Sequence, residues 1–147
     1  MRYSIEKMSM AHIDDVTELE KLCFPEDAWT KNMFKGELCN PATYYVVCIA
    51  DEKIVGYGGF WYTFDGADIT NVAVHPDFRR MGLGEKILKY MIDLASKLGA
   101  DKMMLEVRSS NEAARSLYEK NGFESISIRK RYYADNGEDA VIMIKEW

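Results

Sequence analysis

Three apolar segments, 43–50, 53–63 and 67–75, are joined by links of two and three residues. A parallel pair of strands needs a crossover of a dozen residues or more, and neither link can supply one. The segments therefore form an antiparallel meander, and Asp65-Gly66 is a turn signal at its second corner. Beyond the meander the period changes. Leu83, Ile87, Met91, Leu94 and Leu98 recur at helical spacing, charged residues fill the opposite face, and Gly99 ends the run. Residues 101–107 then read as a strand. Strand, helix and strand in that order make a right-handed parallel crossover, so 67–75 and 101–107 run side by side.

The remaining elements fit around this frame. Residues 2–7 form a first strand. Ser9 caps a helix over about 10–23, with Ile13, Val16, Leu19, Leu22 and Cys23 on its apolar side, and Phe24-Pro25 stops it. Thr30 caps a short helix through about Leu38. Ser109 and Glu112 have capping-box spacing and open a helix to about Asn121, which Gly122 terminates. Two last strands, about 123–131 and 139–146, flank an Asn136-Gly137 turn. The expected fold is α/β in the broad sense: a mixed α+β sheet with helices on both faces, in one domain spanning 1–147. At 147 residues such a chain buries roughly 68–70% of its unfolded surface, enough for a true core.

Charge and cysteine content narrow the function. A net charge of −5 argues against a nucleic-acid partner, since phosphate backbones need a basic face. The opening MRYSIEKM lacks the apolar core of a secretory signal, and the longest apolar run, Tyr44 to Ala50, is far too short to span a bilayer. Cys23, Cys39 and Cys48 form no CxxC pair, and His12 and His75 stand alone, so no metal site is expected. Three reduced thiols fit a cytoplasmic protein with no membrane partner.

The most informative stretch runs from Val72 to Lys86. A strand ends at Pro76, two arginines and two glycines follow, and a helix opens. A helix N-terminus carries unpaired N–H groups and the positive end of the dipole, and glycines let a ligand approach closely. A phosphate or pyrophosphate suits such a site. A Walker loop fails because no Ser or Thr follows Lys86, and a dinucleotide fingerprint fails because Ile87 stands where its third glycine belongs.

What remains is R-x-x-G-x-G at Arg79, Gly82 and Gly84, preceded by Val-x-x-Pro. With the surrounding order of elements, this resembles the pyrophosphate loop of the GNAT superfamily of N-acetyltransferases. The resemblance covers nearly the whole chain. It is strongest to the RimI-like branch, which acetylates ribosomal-protein alanine, through Cys23-Phe-Pro with Trp29, Asn71 to Pro76, Leu105 to Asn111, Leu117 to Phe123, and Arg131-Tyr-Tyr133 followed by Glu138-Asp-Ala140. It implies acetyl-CoA as cosubstrate. The backbone of Val72, Ala73 and Val74 would hold the pantetheine arm like another strand. Arg79, Arg80, Met81, Gly82, Leu83, Gly84 and Glu85 would cradle the pyrophosphate, and Asn111 would bond near the thioester. Glu106 would be general base and Tyr118 general acid, with N–H groups near Val74 facing the developing oxyanion.

These roles have plainer alternatives in the residues themselves. Glu106 lies in an apolar strand, where partial burial would raise its pKa toward that of a useful base, but a salt bridge to Arg108 or Lys102 would explain it equally. Tyr118 could simply be a packing tyrosine. No cysteine lies in the motif region, which favours direct attack by the amine over a ping-pong route. Phe24, Trp29, Tyr132 and Tyr133 are candidates to line the acceptor groove. Tyr132 and Tyr133 are adjacent in sequence, so both cannot face the core.

At pH 7.5 deprotonation costs about 0.5 kcal/mol for an α-amine and about 4 kcal/mol for a lysine, which favours a protein N-terminus as acceptor. By resemblance this is the N-terminal alanine of a small-subunit ribosomal protein. The alternatives are a small-molecule amine acetyltransferase, such as one for polyamines or a drug, a broader protein N-terminal acetyltransferase accepting several first residues, and a non-catalytic acyl-CoA sensor.

Overall fold

The two-residue link after the first meander strand is Asp51-Glu52, with φ of 52° and 65°. Positive φ at both central residues is what a tight hairpin turn demands, because it matches the twist of the strands it joins. A computed structural model describes residues 2–64 and 66–147 of the chain. The second expected turn includes Asp65, which lies outside the described residues. Gly66 beside it has φ +116° and opens the next strand.

The strands are β1 (Tyr3–Lys7), β2 (Thr43–Ala50), β3 (Lys53–Thr63), β4 (Gly66–Val74), β5 (Lys102–Arg108), β6 (Glu124–Arg129) and β7 (Ala140–Glu146). They form one sheet in the order β1-β2-β3-β4-β5-β7-β6. β1 to β4 are an antiparallel meander, β4 and β5 pair in parallel, and β5, β7 and β6 are antiparallel. The helices are α1 (Ile13–Cys23), α2 (Lys31–Cys39), α3 (Leu83–Lys97) and α4 (Glu112–Lys120).

Alternation along β2 explains both layers. Tyr45 and Val47 pack with Ile13, Val16, Leu19 and Phe34 of α1 and α2. Val46 and Cys48 pack with Leu83, Ile87, Leu88 and Met91 of α3. A strand covered on both faces reads as a continuous apolar run, as Tyr44 to Ala50 does. Among the described residues no helix is long and apolar enough to cross a membrane.

Four local expectations need correction. The first helix begins as a 3-10 turn at Met10–His12, and the α-helix starts at Ile13. Its buried stripe is Ile13, Val16, Thr17, Leu19 and Glu20, whereas Leu22 is exposed. The Ser109–Glu112 box does not form: Asn111 caps α4 by accepting from Ala114 N at 3.1 Å. Ser109 Oγ and Ser110 N donate to Glu138 instead, at 3.3 and 2.7 Å. Finally, β6–β7 pairing stops at Arg129 opposite Ala140, so Asn136-Gly137 sits in a wide loop over 130–139, not at a hairpin tip.

A bulge shapes the middle of the sheet. Gly59 pairs with Asn71 but Phe60 pairs with Ile69, which leaves Thr70 of β4 as an extra residue. The Tyr45 ring lies across Gly59, and its hydroxyl reaches Thr70 Oγ1 at 2.9 Å. A methyl group at residue 59 would overlap that ring. Replacing Gly59 with alanine should therefore destabilise the protein by about 1–3 kcal/mol through overpacking, measured as a lower urea midpoint. An unchanged midpoint would show that the ring can move aside freely.

Candidate functional site

Parallel pairing between β4 and β5 is confined to Ala67 with Met103 and Asp68 with Met104. The bulge at Thr70 then carries β4 away from β5. Beyond it, His75 N–H donates to Val55 O at 2.7 Å, which makes Gly56 and Val74 a non-hydrogen-bonded pair. By the alternation of antiparallel ladders, Val72 and Val74 must aim their N–H and C=O groups away from β3, toward the gap. Ala73 faces β3. Val74 O accepts from Arg79 Nε at 3.0 Å and from Cys23 Sγ at 3.5 Å. Arg79 is thus turned back onto β4.

The mouth of this gap is the start of α3. Arg80 and Gly82 take positive φ, 64° and 78°, and Gly82 is the N-cap. Lys86 N makes the first bond of the helix, to Gly82 O at 3.1 Å, so the N–H groups of Leu83, Gly84 and Glu85 have no intrahelical acceptor. Gly84 is not required by packing. A Cβ there would meet Leu117 at 3.6 Å and Val74 at 3.7 Å, ordinary contact distances. The protein's own packing would admit alanine, and a helical glycine costs about 1 kcal/mol against it. The space is therefore free for a ligand to approach the backbone, and a pyrophosphate fits this donor set. Met81 is exposed, and Glu85 is tied to Asn121 at 3.1 Å, with Lys120 and Lys89 nearby at 3.3 and 3.6 Å.

α4 closes the other side. Asn111 and Tyr118 lie seven residues apart, on one face of the helix. Asn111 Oδ1 is spent on its cap. Tyr118 is buried against Phe123, and burial, reinforced by Tyr133, pushes its phenol up to about 12. Glu106 lies on the opposite face of the sheet. Its neighbours Leu105 and Val107 are buried toward α3, while Glu106 faces solvent. The expected apolar burial of this carboxylate is not met. Its ionic partner is Arg129 at 3.5 Å, not Arg108 or Lys102, and its hydrogen bond to the neighbouring Tyr132, with partial burial, pushes that phenol up.

The proposed groove residues divide by exposure. Phe24 and Tyr132 are exposed, and Tyr133 is half-buried beneath Arg108. Trp29 packs on Phe34 with ring centroids 5.3 Å apart. Cys23 and Cys48 have thiols pushed up by burial, the opposite of an activated nucleophile.

Two polar groups receive no role from the sequence: Glu20, which no motif marks, and Glu138, which lies in a segment that carries the resemblance. Glu20, only 2% exposed, accepts from Trp29 N at 3.0 Å and from the Tyr57 hydroxyl. Asn71 Nδ2 donates to that hydroxyl at 3.0 Å, and burial together with Glu20 pushes the phenol far up. A weaker signal was present: Glu20 stands seven residues after Ile13 and four after Val16, on the buried stripe. The second group is Glu138, which joins the 130–139 loop to the start of α4 through Ser109 and Ser110.

A parallel pair that opens around a bulge, with a glycine-capped helix at its mouth, is the architecture of an acyl-CoA N-acyltransferase. Residues 13–123 match the profile of the acetyltransferase (GNAT) family, and the chain belongs to that family. It is 42% identical over 141 residues to a Bacillus subtilis protein assigned as a ribosomal protein bS18-alanine N-acetyltransferase, covering 95% of this chain and 93% of that protein. It is 48% identical over 93 residues to the Escherichia coli enzyme of that activity, covering 62% and 63%. The crystal structure of the ribosomal-protein-alanine N-acetyltransferase from Escherichia coli superposes with a TM-score of 0.91 at 30% identity, over 99% of this chain and 94% of that one.

Hydrogen bonds from Ser110 hold the Glu138 carboxyl down at about 2. A depressed folded-state value contributes stability above the ordinary carboxylate range and loses it as pH falls toward 2. Glu138→Gln should lower Tm at pH 7 and flatten the loss of stability between about pH 4.5 and pH 2. Parallel Tm–pH curves for the two proteins would remove Glu138 from this role.

Proposed function

We propose that this chain is an acetyl-CoA-dependent N-α-acetyltransferase whose acceptor is the N-terminal alanine of a small-subunit ribosomal protein. The observation that carries the reading is its likeness, along nearly its whole length, to the Bacillus subtilis protein. Site chemistry supports it. Acetyl-CoA supplies an activated acetyl thioester. The free edge of Val72 and Val74 would hold the pantetheine arm, and the N–H groups of Gly82 to Glu85 would take the pyrophosphate. Val74 N–H faces the gap, where it can meet negative charge developing on the acetyl oxygen.

Glu106 would remove a proton from the acceptor ammonium, directly or through one water. The amine nitrogen then bonds the acetyl carbon, the carbon–sulfur bond breaks as the tetrahedral oxyanion collapses, Tyr118 gives its proton to the departing thiolate, and the second proton shed by the new amide nitrogen restores the tyrosine. A solvent-facing carboxylate is adequate for an α-amine, whose deprotonation near neutral pH is cheap. A phenol held near 12 stays protonated throughout the neutral range, as an acid must.

The test is acetylation, read by mass spectrometry, of a ribosomal peptide starting with alanine, the same peptide with its N-terminus blocked, a lysine peptide and spermidine. Only the free alanine terminus should be modified. Spermidine acetylation alone would replace the acceptor, and coenzyme A binding with no turnover would favour a sensor. Glu106→Gln should reduce kcat by about a hundredfold or more while leaving coenzyme A affinity unchanged. Full turnover of that variant from pH 6 to 9 would end the general-base assignment. Tyr118→Phe should likewise lower kcat without weakening coenzyme A.

A further inference from the structure

Arg108 ends β5, two residues beyond Glu106 and on the same face of the sheet. Its guanidinium grips Asp135 with both ends of the fork, Nη1 to Oδ1 at 3.1 Å and Nη2 to Oδ2 at 3.0 Å. Nη2 also reaches Asp27 Oδ2 at 3.4 Å, and Nη1 reaches Glu138 Oε1 at 3.5 Å. The same cation lies 4.0 Å above the Tyr133 ring. Asp27 belongs to the α1–α2 loop, with Phe24 and Trp29. Asp135 and Glu138 belong to the 130–139 loop, with Tyr132 and Tyr133. One guanidinium therefore ties together the two loops that carry every candidate acceptor residue. Three carboxylates around a single cation would repel one another without it. A planar five-donor fork can grip one carboxylate bidentately and still bridge to another, which an ammonium cannot do.

We infer that Arg108 is a positioning residue that sets acceptor specificity, clamping the α1–α2 loop to the 130–139 loop so that the groove between them is preformed for a peptide. This rests on the acceptor entering between those loops. Arg108 acts without touching the reacting atoms. It fixes Tyr133, which borders Tyr118, and the distance between the two walls. A groove held open in advance spares the acceptor the cost of ordering it.

Steady-state kinetics on the full chain test this with Arg108→Gln, Arg108→Lys, Asp27→Asn and the Arg108→Gln/Asp27→Asn double variant. The acceptors are an alanine-terminated ribosomal peptide and alaninamide, which carries the reacting amine but nothing beyond the first residue to span from one loop to the other. KM for the peptide should rise about tenfold in Arg108→Gln, with kcat and the KM for acetyl-CoA within about twofold of wild type. Alaninamide should be used as before. Arg108→Lys should recover only part of the loss. Asp27→Asn should act in the same direction, and the double variant should be no worse than Arg108→Gln alone, because one contact cannot be broken twice. Asp27 is 55% exposed, so its variant keeps the test alive should an Arg108 variant fail to fold. An unchanged peptide KM, a fall in kcat alone, or multiplying effects in the double variant would overturn the clamp. A wild-type protein that left the peptide untouched would overturn the acceptor reading, and the clamp with it.

Discussion

β4 and β5 pair at only two positions before Thr70, the extra residue of the bulge, turns β4 aside. A parting of paired strands in mid-sheet is costly, because each backbone N–H and C=O it frees needs another partner. The molecule meets that cost with fixed side chains. Tyr45 crosses Gly59, where a side chain would overlap its ring, to bond Thr70 at the bulge. Glu20 and Tyr57 anchor Asn71 one residue further on. Arg79 and Cys23 occupy the Val74 carbonyl. Among the described residues, the outward edge of Val72 and the N–H of Val74 are left without a protein partner, and an extended polar ligand would pair there as another strand does.

The buried Glu20 carboxylate has a second consequence. It accepts from Trp29 in the α1–α2 loop as well as from Tyr57 beneath the bulge. Removing one partner from a buried charge is far more disruptive than removing a surface pair, since the remaining group is left without solvent. The loop that would receive the acceptor and the strand that would receive the thioester are thus fixed to the same carboxylate. Their relative placement does not depend on either ligand being present.

Much of this was legible in the sequence, because the legible parts depend on local rules. Link lengths forced the meander, helical spacing marked α3, and Gly82 and Gly84 marked the start of that helix. The errors share a cause as well: a distant group won over a local preference. Glu138, nearly thirty residues away, takes the donors of Ser109 and Ser110, so Asn111 becomes the cap of α4. Leu22 fitted the apolar spacing of α1 yet faces solvent, while Glu20 is buried because Tyr57 and Trp29 supply donors for it. The partner of Glu106 proved to be Arg129 on β6, a strand whose register no local pattern reveals, which left Arg108 free to join the loops.

The sheet also separates the proposed base from the proposed acid. Glu106 projects on the α1 and α2 face at a place those helices leave open, so it can exchange protons with water between turnovers. Tyr118 is buried on the α3 and α4 face, where water would otherwise compete to protonate the thiolate and where burial keeps the phenol neutral. A closed sheet would isolate two such groups from each other. β4 leaves β5 after Asp68 and Met104, so a reaction placed at that parting would lose a proton toward the wet side and gain one from the dry side. The bulge that frees the backbone edge would therefore also let the two proposed proton transfers be tuned independently.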